Sequence, residues 1–153
     1  MTKRLNAGDV CTRDVSYAYK SMSVNEAARM MREQHVGSLV VVDETDQGQV
    51  VVGMLTDRDI VTSIVAKDVD PRIVRVEDAM SRDLVSVREE DPILDVLSVM
   101  RRKGVRRVPV VDGNGALVGL VALDDMLGLV AEELRMVVQA IESGRKREPL
   151  ARP

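Results

Sequence analysis

The sequence predicts an α/β (α+β) fold of two tandem β-α-β-β-α repeats, packed about a pseudo-twofold axis and followed by a C-terminal helical extension. The first observation is internal repetition: a displacement of 69 residues aligns residues 9–43 with residues 78–112 without a gap, and nine aligned residues are identical. The second is that both copies show the same order of strand-like and helix-like apolar patterns. Because one copy of about 60 residues would bury only ~60% of its unfolded surface, the pair is predicted to be the folding unit.

Each copy begins with a short strand and a helix. The strands are predicted at residues 15–18 and 84–87. Ser23-x-x-Glu26 is a capping box that starts the first helix, and Asp91 followed by Pro92 predicts an N-cap with proline at the first helical position of the second. Apolar residues then recur at helical spacing in both copies: Val24, Ala27, Ala28 and Met31, and Ile93, Val96, Leu97 and Met100.

Two further strands and a second helix complete each copy. Continuous apolar, β-branched runs predict strands at residues 38–42 and 50–55 in the first copy and at 107–111 and 117–123 in the second. After Asp43 the first copy carries three extra residues, so Gly53 aligns with Gly119 and the change in length falls in a loop. The closing helices are predicted to begin near Thr56 and Asp124.

A helical extension and a tail follow the second copy. The spacing of Leu127, Val130, Leu134, Val137 and Ile141 continues the last helix through residues 129–143, although two heptads are too few for an independent coiled coil. We expect this apolar stripe to pack on its own module, with a second subunit as the alternative. Residues 144–153 contain a basic run and two prolines and are predicted to be a disordered tail.

The composition argues against several classes of function. A net charge of −3 provides no general attraction to nucleic acid or to an anionic membrane, and the absence of Phe and Trp removes stacking platforms for single strands. No segment approaches the ~20 apolar residues of a membrane span. One Cys and one His form neither a metal cluster nor a nucleophile with its base, so no metal and no enzyme are predicted. The chain opens without a secretory leader pattern, and we expect a cytoplasmic protein.

Several segments carry a resemblance to a known family. They are DVCTRDVSYAYKSMSVNEAARMM, VGSLVVVDE and GMLTDRDIV in the first copy, and DAMSRDLVSV and VRRVPVVDGNGALVGLVALDDML in the second. Across residues 8 to about 128 the chain resembles a cystathionine-β-synthase (CBS) domain pair. The resemblance implies CBS repeats at 8–68 and 77–128 that form a stand-alone, non-catalytic Bateman module. It also implies that the module binds adenine nucleotides or related adenosyl compounds between its repeats.

Two interpretations apply to Thr56-x-x-Asp59. The spacing is that of a capping box, and a purely structural cap is the simpler interpretation. The resemblance implies that the Asp59 carboxylate accepts hydrogen bonds from ribose hydroxyls, while the Thr56 hydroxyl and the start of the helix face phosphate oxygen. Both roles can coexist, since a carboxylate has several acceptor sites.

The resemblance also implies the partners of this motif, which come from the other repeat. Arg106 and Arg107 are expected to hold phosphate, because the planar guanidinium donates two parallel hydrogen bonds. The alternative is that the two arginines are only solvated along a strand. The remaining residues carried over from the family are Arg58 as a second phosphate contact, Leu84, Val85 and Ser86 against the adenine, and Pro109 beside the arginines.

The mirror-image site is predicted to be weaker. Asp125 is retained, with Val15 and Ser16 as the equivalent lining, but Ala122 replaces Thr56. The positions of the two arginines are occupied by Gly37 and Ser38, so the phosphate donors are lost. We expect one strong site for AMP, ADP or ATP as a regulatory ligand, one weak or empty site, and no required cofactor.

We expect a homodimer that transmits nucleotide occupancy to an unidentified protein partner. Met30, Met31, Val99 and Met100 on the repeat helices offer adaptable apolar surface for this dimer, with core packing as the alternative. Two other functions stay open. The first is a structural dimerisation unit with empty clefts. The second is the binding of another adenosyl ligand, such as NAD(H) or S-adenosylmethionine.

Overall fold

The computed structural model describes the backbone of residues 5–151 and the side chains of residues 5–147. Its first half contains, in chain order, α1 (Ala7–Val10), β1 (Tyr17–Tyr19), α2 (Val24–Gln34), β2 (Ser38–Thr45), β3 (Gly48–Thr56) and α3 (Asp57–Ile60), which continues as a π-helical segment (Val61–Val65). The second half contains α4 (Val76–Ala79), β4 (Val87–Arg88), α5 (Ile93–Lys103), β5 (Arg107–Val111), β6 (Leu117–Ala122) and α6 (Leu123–Ala151). The β-α-β-β-α order of both repeats is confirmed. A short helix that was not predicted, α1 or α4, precedes each repeat.

Each repeat contains a three-stranded mixed sheet with the same topology. The first strand pairs parallel to the second, and the second pairs antiparallel to the third, in the orders β1-β2-β3 and β4-β5-β6. An irregularity between Val41 and Val42 recurs at the equivalent position between Val110 and Val111. The first strands begin later than predicted, because pairing with β2 starts only at Tyr17, opposite Val40.

The helix cap predicted from the sequence is present at α2 but differs at α5. At α2 the Ser23 hydroxyl accepts a hydrogen bond from the Glu26 N–H at 3.1 Å, as a capping residue should. At α5 the N-cap is Pro92 rather than Asp91. The Asp91 carboxylate instead accepts from the Arg88 N–H at 2.8 Å, because Asp91 lies in the turn that precedes the helix.

The two repeats exchange their N-terminal segments. Ala7 of α1 is fully buried in the core of the second repeat, and Val76 of α4 is fully buried in the core of the first. The Ala7 N–H donates to the Asp91 carbonyl at 2.9 Å, and the Val76 N–H donates to the Met22 carbonyl at 2.8 Å. Each repeat is therefore completed by a segment that belongs, in sequence, to the other.

A pseudo-twofold axis relates the two sheets. Val50 and Ala116, which are equivalent positions of the two repeats, form an isolated antiparallel bridge with each other. A third apolar cluster joins the sheets around this point and includes Val40, Val42, Val51 and Val111. Because a residue meets its own equivalent only at a symmetry axis, the predicted pseudo-twofold packing is confirmed.

The last helix, α6, differs most from what the sequence predicts. Met126 is 2% exposed, but Leu127 and Leu134 are each 62% exposed, so the apolar stripe does not pack on its own module. The helix continues to Ala151, through residues for which a disordered tail was predicted, and its run of Arg145, Lys146 and Arg147 consists of good helix formers. Residues 152 and 153 lie outside the described residues. No helix within residues 5–151 is long and apolar enough to cross a bilayer.

The repeat helices offer less apolar surface than predicted for a dimer. Met31 and Met100 are 7% and 4% exposed and belong to the two repeat cores. Met30 and Val99 are half-buried against the same cores. The equivalent residues Met31 and Met100 face inward because the repeats share one helix-on-sheet packing.

Candidate functional site

The motif Thr56-x-x-Asp59 forms a complete capping box at the end of β3. The Asp59 N–H donates to Thr56 Oγ1 at 3.1 Å, and the Thr56 N–H donates to Asp59 Oδ2 at 3.0 Å. Both side chains are half-buried. Within residues 5–147, no hydrogen bond uses Asp59 Oδ1 or the proton of the Thr56 hydroxyl, so the cap leaves one acceptor and one donor available.

Arg106 and Arg107 lie at the start of β5, and both side chains are exposed. The Arg106 carbonyl accepts from the Leu123 N–H at 2.8 Å, and its guanidinium approaches the exposed Asp124 carboxylate at 3.7 Å. The ion pairs formed by the described side chains include none between Asp59 and either arginine, and none that involves Arg107. Arg58 is also exposed, and Thr62 Oγ1 donates to its carbonyl at 2.8 Å.

The segment that leads to Leu84, Val85 and Ser86 crosses the end of β3. Met54, two residues before Thr56, exchanges backbone hydrogen bonds with Ser81 at 2.9 and 3.3 Å. Leu84 is 47% exposed and Ser86 is exposed, whereas Val85 packs against the core of the second repeat. Backbone hydrogen bonds thus connect the strand that leads to Thr56, in the first repeat, with the segment that leads to Leu84, in the second. Pro109 is buried in β5.

A cleft of about 710 Å³ lies along β1 and α2, and Thr56 is not among the residues that line it. Val15 and Ser16, predicted for the weaker site, line it, and Ser16 Oγ donates to Gln34 Oε1. The other lining residues are Asp14, Tyr17, Tyr19, Met22, Met30 and Gln34. None of these carries a positive charge, which agrees with the loss of phosphate donors on this side. Asp125, the acid predicted for this site, is exposed at the start of α6.

Both aromatic residues of the chain lie in this cleft. Tyr17 and Tyr19 contact each other edge to face, with ring centroids 5.7 Å apart. Gln49 Nε2 donates to the Tyr17 hydroxyl at 2.9 Å, which fixes the ring near the boundary between the repeats. A polar, rigid aromatic pair is well suited to contact a flat ligand.

A comparison with protein families finds that the model for the CBS domain matches residues 7–66 and 76–132 of this chain. The two matched stretches correspond to the two repeats of the fold. The chain belongs to the CBS domain family. Among its relatives is the uncharacterized protein MK0525 of Methanopyrus kandleri, which is 35% identical over 125 residues, or 82% of this chain. The chain spans 62% of that relative's length.

Two solved CBS structures with bound ligands are similar to this chain. The CBS domain pair of protein MJ0100, in complex with 5'-methylthioadenosine and S-adenosyl-L-methionine, is 25% identical, with a TM-score of 0.73 over 86% of this chain and 99% of that one. The cytosolic domain of the Mg²⁺ channel MgtE, in complex with ATP, is 30% identical, with a TM-score of 0.68 over 81% of this chain and 48% of that one. All three ligands carry an adenosyl group.

Sequence reasoning missed part of the cleft between β1 and α2 of the first CBS repeat. Tyr17, Met22, Met30 and Gln34 line it but were not predicted as site residues. One signal was present in the sequence, because the chain's two aromatic residues are both concentrated in β1. Met22 and Gln34 carried no such signal, since only the packing of α2 beside β1 brings them to the cleft.

Proposed function

We propose that this CBS pair is a non-catalytic regulatory module that binds AMP, ADP or ATP between its repeats and transmits occupancy to a protein partner. The observation that carries the proposal is the pair of exposed arginines at the start of β5. Arg107 has no ion-pair partner among the described residues, and the equivalent positions of the first repeat hold Gly37 and Ser38. An exposed arginine pair on one repeat only is suited to an anionic ligand on one side of the axis.

Each residue of the proposed site has a distinct chemical role. The free Oδ1 of Asp59 accepts from the ribose hydroxyls, and the Thr56 hydroxyl proton is available to a phosphate oxygen. Arg106 and Arg107 bind phosphate oxygens, with Arg58 as a further cation. Adenine lies against Leu84, Val85, Ser86 and Pro109. Binding requires Arg106 to exchange Asp124 for phosphate, which costs little because an exposed ion pair is worth only ~0–1 kcal/mol.

The exchange of segments supports a route for transmission. Leu84 lies three residues after Ser81, whose backbone is hydrogen-bonded to β3 of the first repeat. A ligand that contacts both the linker and Asp59 would hold the two repeats in one relative position. A second subunit or a protein partner that contacts both repeats would detect this fixed position. We propose a homodimer as the working assembly.

Paired affinities for adenosine and AMP test this proposal. Arg106→Ala with Arg107→Ala should remove most of the preference for AMP while adenosine binding is retained. Hydrogen bonds to charged groups contribute ~1.5–3 kcal/mol each, so the loss of one lowers AMP affinity by about ten- to a hundredfold. Lysine at both positions should recover part of this, because it keeps the charge but loses the bidentate geometry.

The matched control is Arg101→Ala with Arg102→Ala, an arginine pair at the end of α5 that is also exposed. It removes the same charge and should leave the ratio of AMP to adenosine affinity unchanged. An equal ratio in the wild type and in the Arg106/Arg107 variant would contradict the proposal and would leave Thr56 and Asp59 as a structural cap. Absence of binding for every adenosyl compound would instead support a structural dimerisation module.

The cleft along β1 favours a second candidate ligand. Its lining has two tyrosines and two methionines and no Arg or Lys, so it suits an adenosyl compound without phosphate, such as S-adenosylmethionine, better than a nucleotide or NAD(H). A thermal-shift comparison of AMP, NADH and S-adenosylmethionine separates these ligands, since saturation at a hundred times Kd adds ~2.7 kcal/mol. Tyr17→Ala should abolish only the shift caused by a ligand of this second cleft.

A further inference from the structure

The segment from residue 101 to residue 107 forms a basic patch that the first repeat lacks. Five of its seven residues are cations with exposed side chains, and they are Arg101, Arg102, Lys103, Arg106 and Arg107. The equivalent positions of the first repeat hold one cation and one acid, in the set Arg32, Glu33, Gln34, Gly37 and Ser38. Gly104 and its equivalent His35 end their helices in the same left-handed conformation, at φ of 65° and 55°. Because both sequences form the same local structure, the fold does not require the extra charge.

The end of α5 does not need three cations either. Cations in the last turn of a helix interact favourably with its dipole, and α5 ends with Arg101, Arg102 and Lys103. The equivalent helix α2 has the same length of 11 residues and has Arg32 as the one basic residue of its last turn. Like charges crowded into one short segment repel one another, so the surplus lowers stability unless an anion offsets it.

Ion pairs within the chain compensate the patch only in part. Lys103 Nζ lies 3.5 Å from Asp83 Oδ1, and Arg106 Nη2 lies 3.7 Å from Asp124 Oδ1. These four side chains are 41–78% exposed, so each pair is weak and easily exchanged for another anion. The ion pairs formed within residues 5–147 include none by the other three cations, which are Arg101, Arg102 and Arg107.

We propose that this basic patch docks an acidic segment of a partner protein. Four of the five cations are arginines, and a planar guanidinium binds a carboxylate through two parallel hydrogen bonds, which lysine does not offer. Residues 101–107 span at most ~22 Å even when fully extended, which corresponds to about six extended residues of a partner. Aspartate and glutamate side chains along such a segment would face the arginines in turn.

The rest of the chain favours a short acidic segment over a larger polyanion. The chain as a whole has a net charge of −3, so the surface outside the patch is more acidic than the patch is basic. A nucleic acid duplex or an anionic bilayer extends beyond the patch and would be repelled by this surface. The chain's aromatic residues are Tyr17 and Tyr19, which line the first-repeat cleft, so the patch has no platform for base stacking. The patch also has no exposed apolar side chain to insert into a bilayer.

The position of the patch would let the partner sense the nucleotide, and this step rests on the proposed function. A phosphate held by Arg106 and Arg107 adds negative charge next to Arg102 and Lys103, which are only a few residues away across the turn at Gly104. Charges interact over ~8 Å at physiological salt, so the phosphate weakens the attraction for the acidic segment. The effect is reciprocal, because the segment must lower AMP affinity by the same factor.

Fluorescence anisotropy of the full chain with a labelled hexaglutamate peptide tests the docking surface. At 50 mM salt the wild type should bind hexaglutamate and should not bind hexaglutamine. Arg101→Ala with Arg102→Ala should weaken hexaglutamate binding by about tenfold. The thermal midpoint of this variant should be unchanged or higher, whereas a structural role of the two arginines would lower it.

The matched control is Arg29→Ala with Arg32→Ala on α2. Both side chains are exposed, and the change removes the same charge from the first repeat. This variant should bind hexaglutamate as the wild type does. Equal losses in the two variants would overturn the inference, as would equal binding of hexaglutamate and hexaglutamine. Tighter binding of a 20-base-pair duplex or of phosphatidylserine vesicles, lost on Arg101→Ala with Arg102→Ala, would also overturn it.

Saturating AMP tests the coupling between the two sites. It should weaken hexaglutamate binding about threefold to tenfold in the wild type and should have no effect when Arg106 and Arg107 are both replaced by alanine. Hexaglutamate binding that is unaffected by bound AMP would contradict the coupling. The two proposals fail separately: without AMP binding the nucleotide site is wrong, and without binding that depends on Arg101 and Arg102 the docking surface is wrong.

Discussion

At the residue scale, two glycines allow each repeat to make close contact with the N-terminal segment of the other. A Cβ on Gly53 would lie 2.6 Å from the Ser81 carbonyl oxygen and 2.7 Å from Met80 Sδ. At the equivalent Gly119, it would lie 2.8 Å from the Thr12 carbonyl oxygen. Backbone atoms cannot move away cheaply, so packing requires the glycine of the Gly-x-x-Thr-x-x-Asp segment.

Gly53→Ala should therefore destabilise the fold by about 1–3 kcal/mol, because the added methyl group overpacks a backbone contact. The expected decrease in the thermal midpoint is several degrees, measured by calorimetry or circular dichroism. Gly128→Ala is the matched control: it lies in α6 with nothing within 4 Å of its Cβ and should be neutral or slightly stabilising. Equal midpoints for the two variants would show that β3 and the linker can separate without cost.

Asp59 and its equivalent Asp125 differ in their local bonds. Asp59→Ala should abolish nucleotide binding and also cost about 1 kcal/mol of stability, because it removes half of the capping box. Asp125→Ala should do neither, since the side chain is exposed and Ala122 offers no reciprocal cap. Calorimetric titration with AMP and thermal unfolding of both variants provide the measurements. Equal losses of affinity would mean that both clefts bind the nucleotide.

At the element scale, α1 and α4 act in the repeat that they do not precede. Val76 of α4 is fully buried in the core of the first repeat, in a cluster that also contains Ala27 and Leu39. A short helix of four residues is not stable by itself, so this packing is what holds α4 in place. The same is true of α1 in the core of the second repeat.

Val76→Ala should thus destabilise the first repeat, by roughly 2 kcal/mol for a buried apolar truncation. Hydrogen exchange should show the loss of protection in β2 and β3, although Val76 follows them by some twenty residues in sequence. Ile73→Ala, at a side chain that is 78% exposed, is the control and should change nothing. Loss of protection confined to β4 to β6 would contradict the exchange.

At the scale of the whole molecule, exchanged segments and a shared cluster couple the two repeats. We expect a single cooperative unfolding transition, in which the calorimetric and van't Hoff enthalpies agree. The reason is that neither core is complete without a segment of the other repeat. Calorimetry at a fixed protein concentration checks this, since dimerisation would make the midpoint concentration-dependent. Two resolved transitions would mean that the repeats fold independently.

Much of this architecture could be predicted from the sequence, because repetition and apolar periodicity are local signals. The offset between residues 9–43 and 78–112 established two equivalent units, and the runs at residues 38–42 and 107–111 correspond to strands in the structure. The spacing of Thr56 and Asp59 indicated the cap that their side chains form. The strands and the cap depend on residues within a few positions of one another, and the repetition is visible from a comparison of the chain with itself.

Other features of the molecule are set by tertiary contacts and cannot be predicted from these local patterns. A four-residue helix such as α1 has no periodicity of its own, and only packing shows that Ala7 completes the opposite repeat. The cleft beside Tyr17 depends on where α2 lies against β1, and the exposure of Leu127 to Ile141 depends on the absence of a neighbouring element. Apolar spacing shows that a face will be covered, but the identity of what covers it is set by contacts between residues distant in sequence.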